Sequence, residues 1–104
     1  MTIQFNTANN INGSDAMNTR LSSIIADKLS RFDEYITRIE AHLSDENGGK
    51  EGENDKRCTL EARPQGKQPI VVTNNADTYD EAVSGAVTKL KSALDSSIGK
   101  LKAH

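Results

Sequence analysis

The chain has little with which to build a covalently braced or membrane-bound protein. One cysteine in 104 residues, Cys58, excludes an internal disulfide and fits a reducing compartment. No apolar run approaches the roughly eighteen residues of a membrane span, and the opening MTIQFNTANN lacks the charged start and apolar stretch of a signal peptide. A cytoplasmic location is therefore expected. An excess of positive charge is missing too: the formal net charge is -2, whereas nucleic-acid-binding domains are usually basic overall. No internal repeat is visible, and the length suits one domain over residues 1–104 with a single modest core.

Reactive constellations are equally scarce. His42 falls in the outward phase of a strand pattern and His104 is the last residue, and neither has a second histidine or a cysteine at metal-ligand spacing. Cys58 falls in an inward phase, as a small buried hydrophobe does, and no base pairs with it in the sequence. The acid pairs Asp33 with Glu34 and Asp80 with Glu81 stand at helix ends, where capping and solvation account for them. Gly48, Gly49 and Gly52 lie in an acidic loop without the strand and helix that a phosphate-binding glycine motif requires. The expectation is a protein with no catalytic residues, no metal and no cofactor.

What is present is a periodic pattern. Residues 2–8 alternate, with Ile3 and Phe5 against Gln4 and Asn6, as a half-buried strand does. The turn-forming Asn9, Asn10, Asn12 and Gly13 follow, and Ser14 or Asp15 can cap a helix in which Met17, Leu21, Ile24, Ile25, Leu29 and Phe32 keep helical spacing to about residue 32. Alternation returns from Ile36 to Leu43, with Ile39, Ala41 and Leu43 in one phase. Residues 44–57, SDENGGKEGENDKR, hold no hydrophobic residue, three glycines and eight charges, and read as a flexible hairpin loop. Cys58, Leu60 and Ala62 alternate inward over residues 58–63, then Pro64, Gln65 and Gly66 break the strand, and Ile70, Val71 and Val72 form a last short one.

The closing stretch, residues 78–104, predicts a long amphipathic helix. Thr78 with Glu81 three residues on is a capping-box pair, and Val83, Val87, Leu90, Leu94, Ile98 and Leu101 form its apolar stripe. The order is thus β-α-β-β-β-α, an α+β fold. One four-stranded mixed sheet with two helices packed on one face is the simplest way to hide both stripes, with strands two to four antiparallel and a parallel crossover around the first helix.

Charge is uneven along this plan. Residues 44–57 carry five acids against three bases, whereas residues 82–104 carry four lysines against Asp95. Lys89, Ser92, Ser96 and Lys100 share one face of the last helix, and Lys91 with Asp95 makes an i,i+4 pair on the adjoining one. Two readings of these cations stand side by side: a solvated helix face, or a surface for phosphates.

Three segments resemble the ribosome hibernation promoting factors, also described as ribosome-associated inhibitors or sigma-factor modulation proteins. IQFNTANN is similar to the family's opening strand, KLSRFDEYITRI (residues 28–39) to the end of its first helix and the start of its second strand, and AVSGAVTKL (residues 82–90) to the start of its second helix. The resemblance implies a short-form, cytoplasmic, non-enzymatic factor that binds the small ribosomal subunit and blocks the channel of messenger and transfer RNA in idle ribosomes. It implies ribosomal RNA contacts at Lys28, Arg31, Arg38 and Lys89, with Lys91 and Lys100 adding charge nearby. Past Lys89 the family usually carries a dense basic run, where this chain has Ser92, Asp95, Ser96 and Ile98. The chain ends with the helix, so the dimerisation domain of the family's long members is not expected. The rival reading, favoured by the serine-substituted helix face and the acidic loop, is a protein-interaction module that keeps the fold and has exchanged RNA for a protein partner.

Overall fold

The alternation of Ile39, Ala41 and Leu43 with polar residues places three fully buried side chains on one side of a strand, and Cys58, Leu60 and Ala62 do the same on its neighbour. A computed structural model of the chain describes residues 1–7, 15–46 and 55–102, apart from the side chains of Thr7 and of residues beyond Ser97. Its elements are β1 (Thr2–Thr7), α1 (Asp15–Lys28), a 3-10 turn (Ser30–Phe32), β2 (Ile36–Asp45), β3 (Lys56–Pro64), β4 (Ile70–Ala76) and α2 (Tyr79–Lys102). The turn cluster at 9–13, the cap at Ser14, the loop glycines and His104 lie outside the described residues.

The sheet runs β1-β2-β3-β4, with β1 parallel to β2 and the other pairs antiparallel. The α+β arrangement and the mixed sheet are those the sequence predicts. Register aligns Ile39 with Ala62, Ala41 with Leu60 and Leu43 with Cys58, so their side chains form one apolar floor. Leu21, Ile25 and Leu29 from the first helical segment and Val83, Val87, Leu90 and Leu94 from α2 are fully buried in the same core. Each such aliphatic side chain contributes about 1.5–3 kcal/mol by leaving water.

Four boundaries differ from the sequence reading. The first helix ends at Lys28 rather than near residue 32. Beyond it the backbone tightens to three-residue bonds, Phe32 N–H to Leu29 O at 2.9 Å and Asp33 N–H to Ser30 O at 3.1 Å. A 3-10 turn stacks residues three apart, so Leu29 and Phe32 both reach the core, and that same step mimics an α-helical repeat in the sequence. β2 and β3 extend into the stretch read as loop: Ser44 pairs with Arg57 and Asp45 with Lys56. The Lys56 ammonium sits 3.2 Å from Asp45 and 3.1 Å from Asp55, both carboxylates nearly buried, which lets a charged segment continue the ladder.

β4 continues past Val72 through Asn74, Asn75 and Ala76. The Asn74 amide donates to the Ala82 carbonyl of α2 at 3.3 Å. Gly85 makes room for it, since a Cβ there would lie 2.1 Å from Asn74 Nδ2. At the start of α2 the Thr78 hydroxyl accepts from the Glu81 N–H and donates to the Glu81 carboxylate, both at 3.1 Å. The threonine half of the predicted capping box is therefore present, while the glutamate bonds the hydroxyl.

Candidate functional site

α1 and α2 lie side by side, and their cations and acids meet across the seam. Arg20 pairs with Asp80 at 2.8 Å, and Arg31, just past α1, pairs with Asp95. Ascending positions on one helix meet ascending positions on the other, so the two helices run in the same direction. The Arg31 guanidinium also lies 4.7 Å over the Phe32 ring, a cation–π contact. Asp95 reads in sequence as the i,i+4 partner of Lys91, yet its carboxylate bonds Arg31 because the packed helices bring that guanidinium to it.

Lys28 and Lys91 flank this pair. Lys28 closes α1 three residues before Arg31, and Lys91 precedes Asp95 by one helical turn on the same stripe. Both side chains are exposed and make no ion pair among the described residues. Lys28 and Lys91 thus stand within one helical turn, along the chain, of Arg31 and Asp95 respectively, with Asp27 also one turn before Arg31.

The remaining predicted cations stand elsewhere. Lys89 lies half a turn of the wheel away from Lys91, and its ammonium donates to the Thr73 carbonyl of the edge strand β4 at 2.8 Å. Arg38 is on the far face of the sheet, away from the helices. There Arg38 faces Arg63 and Glu40 faces Glu61 across the ladder. The like-charged rows are reconciled by contacts between them: Arg38–Glu40 at 3.4 Å, Arg63–Glu40 at 3.6 Å and Arg63–Glu61 at 2.9 Å. The Glu40 carboxyl is held below its ordinary range, chiefly by its coupling to the Glu61 carboxyl and then by the two arginines, against desolvation. These four charges sum to zero. Lys100 lies in the last turns of α2, where only the backbone is described.

Two contacts have no signal in the sequence. The Lys67 ammonium donates to the Ser97 carbonyl at 2.9 Å, tying the turn after β3 to α2 across an open cleft of about 680 Å³. That turn includes Gly66 at φ +69°, a left-handed conformation that glycine adopts without strain. At the sheet's other end Lys56 is held charged, chiefly by its hydrogen bond to Asp55, and Tyr79 is pushed above the ordinary phenol value by burial and by Asp45. Burial likewise pushes the Cys58 thiol up to about 12, so no thiolate is available near neutral pH. Among the described residues no group of three His, Cys, Asp or Glu side chains is placed to hold a metal ion.

Fold and surface together define a two-layer α+β domain in which Arg20 and Arg31 meet Asp80 and Asp95 across the seam between the helical segments. The chain belongs to the sigma 54 modulation protein / S30EA ribosomal protein family, which matches it over residues 6–102. This is the hibernation-factor family that its strand and helix segments resemble. Among solved structures, a ribosomal subunit interface protein from Coxiella burnetii is 20% identical with a TM-score of 0.70, each chain covered in full. The N-terminal domain of Protein Y from Thermus thermophilus is also 20% identical, with a TM-score of 0.64 over 90% of this chain and 96% of that one. At this identity the two likenesses show a shared fold. No curated protein matches the sequence.

Proposed function

We propose that this chain is a non-enzymatic, ribosome-associated factor that works in the cytoplasm, binds the small ribosomal subunit and inhibits translation in idle cells by occupying the channel of messenger and transfer RNA. The observation that carries this reading is the family match over residues 6–102. The Coxiella burnetii protein of the same fold, itself described as a ribosomal subunit interface protein, supports it. Binding is electrostatic: lysines and arginines neutralise RNA phosphates and release counterions, and the body of the domain then excludes the RNAs by bulk. Of the candidate contacts Lys28, Arg31, Arg38, Lys89, Lys91 and Lys100, the reading gives most weight to Lys28, Arg31 and Lys91, because they share the helical seam. Cosedimentation with purified small subunits tests it. The chain is expected to pellet with them at low salt and to be displaced by added messenger and transfer RNA. Absence from the pellet even at the lowest salt removes the proposal.

One observation favours a second reading, a domain of the same fold that engages a protein partner instead. Arg20, Arg31 and Lys89 are all held by groups of the chain itself, which leaves few free cations on the helices among the described residues. Recovery of one defined protein in a pull-down that nuclease does not disturb decides for that reading.

A further inference from the structure

Of Lys28, Arg31 and Lys91, only Arg31 already has an anion among the described residues. Its guanidinium is covered on one face by the Phe32 ring, and an edge, through Nη2, is occupied by the Asp95 carboxylate. Both partners are about half exposed, 55% and 51%, so the pair stands where a ligand phosphate can reach it. A phosphate and a carboxylate seek the same N–H edge of a guanidinium, since both accept its forked donors. Lys28, three residues before Arg31, and Lys91, one helical turn before Asp95, are exposed cations that a phosphate can recruit and that make no ion pair with Asp95. From this geometry we propose that Asp95 is a built-in competitor for RNA phosphate. It occupies the Arg31 site in the free protein, is displaced when phosphate arrives, and so sets the affinity of the seam.

The inference rests on the RNA-binding reading above and deepens it, by naming the residue that limits binding. The alternative role for Asp95 is positioning, in which it holds Arg31 in the orientation that phosphate needs. The two roles have opposite signs. Removing a competitor raises affinity, and removing a support lowers it.

The test measures binding of wild type, Asp95→Asn, Arg31→Gln and the double variant to two probes, purified small ribosomal subunits and a 20-base-pair RNA duplex, over a salt series. Asp95→Asn is expected to bind both probes about two- to fivefold more tightly, the scale of an exposed ion pair. It should also steepen the dependence of log K on log salt by roughly 0.7–0.9, one further phosphate contact. The gain must vanish in the Arg31→Gln background, because it acts through that guanidinium. An unchanged or weaker affinity overturns the inference. A gain that persists without Arg31 also overturns it, since loss of any negative charge would then suffice. Tighter duplex binding by Asp95→Asn with no binding of subunits by any variant supports the competitor role while overturning the ribosomal reading. No binding of either probe overturns both. Asp95→Ser repeats the measurement with a smaller side chain. If neither Asp95 variant keeps the wild-type melting transition, Asp95 is a structural residue and the proposal falls.

Discussion

Cys58 shows how burial decides the chemistry of a single residue. Its side chain is fully buried between Leu43 of the neighbouring strand and the helical layer, and the thiol is pushed up to about 12 from an ordinary 9.0. Native protein at pH 8 should therefore react with a thiol alkylating agent about a thousandfold more slowly than unfolded chain, the ratio of their thiolate fractions. The same shift makes stability pH-dependent. Unfolded chains give up the thiol proton near pH 9 while folded chains keep it to about 12, so the thiol's contribution to stability is level below pH 9 and falls as pH rises through that window. Denaturation midpoints between pH 8 and 11 check this: the fall should be smaller in Cys58→Ala, and identical slopes in the two proteins would exclude the thiol as its source. Arg31 and Arg38 make the complementary point. They carry the same chemistry in the same matched segment, yet one stands on the helical seam and the other inside a neutral network on the open sheet face.

At the scale of elements, the start of α2 depends on one side chain. Thr78 takes the Glu81 N–H, a donor the helix itself leaves unsatisfied. Thr78→Ala should lower unfolding free energy by about 1 kcal/mol, and Thr78→Ser should retain most of the stability, as read in denaturant melts. An alanine variant as stable as wild type would mean that the cap contributes nothing. This boundary is legible in the sequence because a capping signal is local. So are the strand phases, since Ile39, Ala41 and Leu43 need only alternate. The extension of β4 is not legible: asparagines favour turns on their own, and the carbonyl that the Asn74 amide bonds belongs to a helix eight residues on. The outer ends of β2 and β3 escape composition for a similar reason, because Lys56 reaches Asp45 across the ladder only once the strands have paired.

For the whole molecule, the family and the α+β plan are legible in distributed core patterns, while the candidate surface is legible only as a set of residue types. Which cations share a surface depends on contacts between residues 60 and 64 positions apart, Arg20 with Asp80 and Arg31 with Asp95. No spacing rule reaches across that distance. Helix geometry then separates two lysines that are close in sequence, turning Lys91 to the seam and Lys89 to the β4 edge. The central claim is that Lys28 and Lys91, on the seam beside Arg31, carry the attachment to the small subunit. Cosedimentation of wild type, Lys28→Glu with Lys91→Glu, and Lys89→Glu over a salt series measures it most directly. The seam variant should keep the wild-type circular dichroism spectrum, bind more weakly at every salt concentration, and show a log K against log salt slope shallower by roughly 1.5, with Lys89→Glu closer to wild type. A seam variant that pellets with subunits as wild type does would contradict the account.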